Sequence, residues 1–437
     1  MKFLITFFQI QDYGGIINHT EYLAAGLKEL GHTVDIAMLV PKHGVARTTL
    51  PKDITDKAKY SLNEKGTNLY HNQARGWYGM TKIPYLNEYR RENFKEDCSS
   101  YDAVLWQIPV PTLSKENKGI NEWINLYGTG TKNIAIIHDG NLPNLYPHLA
   151  AVQGKFFAMI CVHESAFNSA KGIEIPRMLV VNPHDIQKQG AYGQKKFEEK
   201  DGLVAIQIFK GWKRVDSLVR AIPFMSNKEQ KIVGGAGIEY RYMTSKEKCK
   251  PKYFEPNGSR IWDNALASGM EYVGVVDNEK VFNYLNEAKI HIDPSWSKKY
   301  HAFGSHFNRT TIEAMISGCL PVATDLGMGN SEIFKKDKNY IEISHEATPK
   351  NFAETIDECL QNKSKWQQIT DNNCEQLKEF DMRNVAQQYV DIVNGSYPMK
   401  KIKNGSNNEE TIQKCNQNLE FFNFGFRIET PRGVQGV

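Results

Sequence analysis

The sequence predicts an α/β protein of two doubly wound, Rossmann-like domains facing across a cleft, with a C-terminal helical crossover and tail. Three observations predict it. Runs such as 102–108 (DAVLWQI) and 133–137 (NIAII) are continuous in apolar residues, as parallel strands covered on both faces are. Strand-like and helix-like segments alternate through two similar halves. At 437 residues the chain also exceeds one ordinary hydrophobic core. The expected limits are 1–184, 185–383, and 384–437 for the crossover helix and tail.

The chain opens as β-α-β: a strand over 3–8, the Gly14-Gly15 turn, a helix from about 18 to 30, a Gly31-His32 stop and a strand over 33–39. Leu23, Leu27 and Leu30 fall on one face of that helix, at i, i+4 and i+7. Residues 41–100 are less regular. They mix basic and aromatic side chains, notably Arg75, Trp77, Tyr78, Lys82, Tyr85, Arg90 and Arg91, which suits either phosphates and bases or a solvated surface with half-buried rings. The strand over 133–137 ends directly in His138-Asp139, and that over 156–162 in His163-Glu164. Ligands of open α/β sheets gather beyond the carboxyl ends of strands, so His138-Asp139 is read as functional. His163 is open between a helix cap and a ligand contact.

Residues 178–181 read as the last strand of the first half, 182–185 as the hinge and the lysine-rich run 187–200 as linker or surface. The second half restarts with a strand over 202–209, followed by Lys210 and Lys213 ahead of a helix near Val215. A strand over 231–233 leads into Gly234-Gly235-Ala236-Gly237, read as a glycine-rich turn. Strands over 271–276 and 291–296 flank a helix over 281–288. Helices follow over 351–360, 364–380 and 384–394, and the 396–437 tail turns aromatic at Phe421-Phe422, which favours docking on the body or on a partner.

Composition excludes several classes. Seven cysteines without a C-x-x-C pair indicate neither a disulfide framework nor a zinc site, and point to a reducing cytoplasm. The apolar segment 3–10 is too short for a membrane span and lacks a cleavage site, so it reads as a first strand. No basic amphipathic helix suggests membrane docking, and stable membrane insertion is not expected. The net charge of +4 is compatible with a polyanionic partner without establishing one.

The chemistry concentrates in 305–325 (SHFNRTTIEAMISGCLPVATD). His306, Phe307, Asn308, Arg309, Thr310 and Thr311 run into a helix that Gly318 ends, and 320–324 follows as a short buried strand. Such a loop presents backbone N–H groups at a helix N-terminus, with Thr310 and Thr311 as cap candidates: an anion cradle. Glu313, one turn inside, can accept two hydroxyl hydrogen bonds. Together they suit a nucleotide or a nucleotide sugar.

This stretch resembles the donor-binding segment of retaining GT-B glycosyltransferases of the family-four type, E-G-F-G-x-x-x-x-E-A-M followed by G-x-P-V. Phe307, Glu313-Ala314-Met315, Gly318, Pro321 and Val322 match in register, while Ser305 and Asn308 stand where the pattern has Glu and Gly. The Gly14-Gly15 opening is similar to the start of the same enzymes, Lys213 aligns with their diphosphate lysine, and Ile208 takes the place of their arginine. The resemblance implies a metal-independent enzyme with no cofactor, using a nucleoside-diphosphate sugar, UDP-linked, as co-substrate. Taken with the reading of the residues above, it gives as expected donor contacts Gly14, Gly15, Lys210 in place of the missing arginine, Lys213, Gly274, His306, Phe307, Asn308, Arg309, Thr310 and Glu313, while His138 and Asp139, by their place at a strand end, are the expected catalytic residues. Acceptor contacts would come from Arg75, Lys82, Arg90, Arg91 and His163. A fainter similarity, carried by His138-Asp139, His163-Glu164-Ser165, Trp212-Lys213 and 235–240, is to phage α-glucosyltransferases of hydroxymethylcytosine DNA, which implies duplex DNA as acceptor. A transferase for lipid-linked or polysaccharide acceptors, and a sugar-nucleotide-binding protein without catalysis, are the alternatives.

Overall fold

The computed structural model describes residues 1–8, 15–39, 86–89, 99–108, 132–138, 154, 156–170, 173–190, 195–209, 213–226, 230–236, 264–274, 276, 278–295, 309–324 and 334–397. Their strands form two parallel sheets. The first contains β1 (Lys2–Phe8), β2 (Thr33–Leu39), β3 (Leu86–Tyr89), β4 (Ala103–Ile108), β5 (Asn133–Ile137), β6 (Ala158–Cys161) and β7 (Arg177–Leu179), in the order β3-β2-β1-β4-β5-β6-β7. Helices α1 (Gly15–Glu29) and α2 (Glu164–Ser169) follow β1 and β6, and α3 (Ile186–Gly190) lies in the segment leading to the second sheet. That sheet contains β8 (Leu203–Phe209), β9 (Gln230–Ala236), β10 (Met270–Gly274), β11 (Ile290–Asp293), β12 (Leu320–Ala323) and β13 (Ile341–Glu342), ordered β10-β9-β8-β11-β12-β13. Around it lie α4 (Val215–Ala221), α5 (Asn278–Glu287), α6 (Arg309–Ile316), α7 (Pro349–Gln361) and α8 (Lys363–Gln376), and α9 (Met382–Asn394) closes the described chain. In both sheets the strand order reverses direction at the centre, between β1 and β4 and between β8 and β11. Those reversals are the switch points where such folds bind ligands.

Alternation within β8 shows why both faces of the second sheet are covered. Leu203 and Ala205 point into one core with Ile290, Ile292 and residues of α4 and α7, while Val204 and Ile206 point into the other with Val281, Phe282 and Leu285 of α5. In the first sheet β5 is buried at every position. Leu23 and Leu27 of α1 enter its core as the periodicity predicts, and Leu30 packs on its margin. The same core takes Ile312, Met315 and Ile316 of α6 and Val385, Ala386 and Tyr389 of α9, so the two halves share apolar contact. Helix α9 returns to α1 so closely that a Cβ on Gly26 would stand 2.3 Å from the Met382 carbonyl oxygen. Arg383 Nε to Glu29 Oε2, 2.6 Å, fixes the same contact from its edge.

Two terminations locate α6. Its end is a Schellman motif: Cys319 N–H donates to Ala314 O, Gly318 N–H to Met315 O, and Gly318 takes φ +71°. Behind it lies Lys200, 2% exposed, whose Nζ donates to Asn286 O (2.8 Å), Ser317 O (2.9 Å) and Leu285 O (3.3 Å). One ammonium thus satisfies carbonyls at the C-terminal ends of α5 and α6, which have no intrahelical donors.

Several expectations need correction. Helix α1 begins at Gly15, three residues before the expected start, and α9 at Met382, capped by Asp381, which accepts from Arg383 N–H. Gly234, Gly235 and Ala236 are not a turn but the end of β9, paired with Gln207, Ile208 and Phe209. Gly234 takes φ +122°, and a Cβ there would lie 2.0 Å from Gln207 O, so that glycine serves close strand approach. Lys200, read with a solvated run, is buried. The 396–437 tail lies outside the described residues beyond Tyr397.

Candidate active site

At the switch point of the second sheet, β11 ends in Asp293, 4% exposed. Its Oδ1 accepts from Gln207 Nε2 on β8 (3.1 Å), Ser295 N–H (3.2 Å) and Ser295 Oγ (2.5 Å); Oδ2 accepts from Thr311 Oγ1 (3.1 Å). A buried carboxylate needs such donors, and here they tie the ends of β8 and β11 to the first turn of α6. Thr310 and Thr311 are therefore helical rather than caps: α6 starts at Arg309, and the Thr311 hydroxyl is spent on Asp293. His291, fully buried on β11, has its pKa lowered to about 4 by burial, opposed by Asp293 and reinforced by Lys213, so Lys213 lies in electrostatic range of this end of the sheet.

Glu313 follows one turn into α6. Its side chain is 3% exposed, and Oε1 accepts from Arg309 Nε at 3.0 Å. The Arg309 guanidinium lies over the ring of Tyr22 on α1, Cζ to centroid 4.9 Å. Glu313 and Arg309 are thus brought together at the N-terminal turn of α6, where a dipole and free backbone donors favour an anion.

The first sheet builds a second polar cluster at its own switch point. Gln107, near the end of β4, donates through Nε2 to Thr20 Oγ1 of α1, which turns its Oε1 toward His138 Nε2, 2.5 Å away. An amide oxygen only accepts, so His138 carries its proton on Nε2 and its basic lone pair on Nδ1. His19 of α1 stands edge-on to His138, centroids 4.8 Å apart, and bonds Asn182 Oδ1 (2.9 Å) and Tyr389 OH (3.2 Å). Burial lowers the His19 pKa to about 4; burial, then the neighbouring His19 and His163, holds His138 well below its ordinary value. Both imidazoles are neutral at neutral pH.

His163 is corrected to a structural post. Its Nδ1 accepts from Ala166 N–H as the N-cap of α2, and its Nε2 therefore donates to His138 O at 3.2 Å, leaving neither nitrogen for an acceptor. Gly274 ends the edge strand β10 with φ +83°, two strands from β8. Gly15 is the first residue of α1. Gly14, Arg75, Lys82, Arg90, Arg91, Asp139, Lys210, His306, Phe307 and Asn308 lie outside the described residues. His19, Tyr22, Gln107, Asn182 and Tyr389 escaped the sequence reading, since each acquires its role through a partner distant in the chain. Asp293 did carry a signal: a carboxylate closing a short buried strand, Ile290–Asp293.

Comparison with known proteins gives this arrangement a class. Residues 202–362, from β8 through α7, match the family model of glycosyl transferases, group 1. No curated protein matches the chain in sequence. The fold is that of the GT-B glycosyltransferases. HepE of Anabaena, solved with UDP and glucose, superposes with a TM-score of 0.60 at 13% identity, covering 90% of this chain and 100% of its own. A glycosyltransferase from Rickettsia africae gives 0.59 at 14% identity, covering 90% and 98%. An α-glucosyltransferase solved with UDP and a 13-mer DNA containing an HMU base gives 0.60 at 12% identity, covering 90% and 99%. Among the described residues no helix is long and apolar enough to cross a membrane.

Proposed function

We propose that this protein transfers a sugar from a UDP-sugar, with retention and without a metal, to a hydroxymethylated pyrimidine in duplex DNA. The observation that carries the donor half is the Arg309–Glu313 pair on the first turn of α6, beside the β8/β11 switch point of a group 1 glycosyltransferase domain. Glu313 would accept hydrogen bonds from the donor's hydroxyls, and backbone donors of the first turn of α6, with Lys213, would hold the diphosphate. Residues 1–184 would serve the acceptor and 185–383 the donor.

On the acceptor side, His138 presents a neutral imidazole with the lone pair on Nδ1. A base whose pKa lies well below neutrality takes a full proton poorly, so its role would be to accept a hydrogen bond from the attacking hydroxyl and aim it. The proton would then end on an oxygen of the departing diphosphate. The DNA acceptor draws support from the likeness to the α-glucosyltransferase bound to HMU-containing DNA and from the basic, aromatic segment 75–91. A target base in duplex DNA must leave the stack to reach such a site.

The test is turnover of UDP-glucose with the full chain, offered hydroxymethylated duplex DNA, unmodified duplex DNA and lipid extract in parallel. Transfer only to hydroxymethylated DNA is expected, with binding that weakens steeply as salt rises because phosphate contacts release counterions. Transfer to lipid extract alone would remove the DNA acceptor. Binding of UDP-glucose without turnover on any acceptor would favour a sugar-nucleotide-binding protein.

A further inference from the structure

Arg309 is held in an unusual way. Its Nε is committed to Glu313, while Nη1 and Nη2 are buried without any acceptor. Among the described residues no carbonyl or second carboxylate therefore fixes the guanidinium plane. Among the described residues it lies over the face of Tyr22, and Tyr22 is itself held firmly: its hydroxyl accepts from Gln189 Nε2 at 3.1 Å, and its ring stacks on that of His184 at 6.4 Å and 24°. Gln189 and His184 belong to the segment joining the two sheets. The His184 backbone is pinned in turn, His184 N–H to Phe380 O and Met382 N–H to His184 O, both 2.8 Å. His184 is buried and its pKa lies well below the ordinary value, through burial first and then Arg309, so His184 itself is not a second cation on the Tyr22 face.

We propose that Arg309 is a positioning residue through which Tyr22, on α1 beside the first sheet, sets the orientation of the donor carboxylate Glu313. The inference rests on the reading of Glu313 as a donor ligand. A carboxylate on an isolated helix turn has several rotamers; one whose partner is clamped on an aromatic face of the other half of the molecule keeps a single orientation. The donor site is then correctly formed only while α1 and α6 are together, and donor affinity reports the contact between the two halves.

The experiment measures UDP binding by calorimetry with four full-length proteins: the parent chain, Tyr22→Leu, the double variant Arg309→Leu with Glu313→Leu, and the triple variant. Replacing both partners of the buried pair by leucine removes the charges together and leaves no unpaired ion, so the double variant is a foldable background. Tyr22→Leu is expected to weaken UDP binding about tenfold, and the double variant at least as much. The triple variant should match the double variant within twofold, because without the carboxylate nothing is left for Tyr22 to position. Tyr22→Phe, which keeps the ring face, should retain most of the affinity. A loss on Tyr22→Leu that is equal in both backgrounds would mark general loosening and overturn the proposal. So would unchanged binding by Tyr22→Leu while the double variant is weakened, with the donor reading intact. Unchanged binding by the double variant would instead remove the donor reading itself.

Discussion

Lys200 offers a direct test of how α6 is held. Lys200→Met keeps the length of the side chain and removes the ammonium that serves Asn286 O, Ser317 O and Leu285 O. Two of these bonds are short, and a hydrogen bond to a charged group contributes about 1.5–3 kcal/mol. The loss is offset because the ammonium no longer has to be buried, a cost visible in a pKa that burial lowers from the ordinary lysine value. What stays uncompensated is the pair of well-bonded carbonyls, at about 1–3 kcal/mol each when left without donors. The net destabilisation should be about 2–4 kcal/mol. With a urea slope of roughly 2 kcal/mol/M for a domain of this size, the unfolding midpoint of the full chain should fall by about 1–2 M. Lys200→Arg should not rescue it, since a planar fork does not fit a site shaped for a single ammonium. A change below about 0.5 kcal/mol for Lys200→Met would refute the capping role.

Two further outcomes follow from the geometry. Gly234→Ala forces a Cβ toward the Gln207 carbonyl at a positive φ and should cost at least about 2 kcal/mol in urea unfolding; a neutral result would mean that β8 and β9 separate easily at that position. His19 and His291 take up a proton near pH 6.5 when unfolded but only near 4 when folded, so their stability contribution is complete above pH 6.5 and is lost as pH falls toward 4. Each contributes at most about 3–4 kcal/mol. Urea midpoints should drop across that window, His291→Leu should flatten the drop, and a flat parent profile would contradict the burial of these imidazoles as neutral groups.

The parts legible in the sequence are those whose cause is local. The apolar runs of β4 and β5, the Leu23–Leu27 face of α1 and the Gly318 stop each follow from propensity or periodicity within a few residues. What was missed depends on contacts closed over long separations. Lys200 finds its carbonyls 85 to 117 residues away, and nothing in a lysine-rich run distinguishes the one ammonium that goes inside. Strand β3, LNEY, has no apolar alternation because it is an edge strand added to β2. Gly234 resembled a loop glycine, while its real constraint is a neighbouring strand. Within the site, Glu313 and His138 were marked by motif and by strand end. The residues that hold them, Tyr22 and Gln107, carry no mark of their own.

Those holding residues converge on one element. His19, Thr20 and Tyr22 all lie on α1: Thr20 orients Gln107 and through it His138, His19 packs edge-on against the same imidazole, and Tyr22 underlies Arg309. His19 and Tyr22 are three residues apart, hence neighbours on one helix face, so a rotation of α1 would displace both clusters together. What prevents rotation is α9, a helix from nearly 400 residues along the chain, whose first carbonyl lies where a Gly26 side chain would be and whose Tyr389 hydroxyl meets His19 Nε2. The return of α9 to the first sheet therefore does more than close the fold. It fixes the helix on which the Arg309–Glu313 pair and the Gln107–His138 cluster both depend, so the two can be in register only when the chain is assembled through α9.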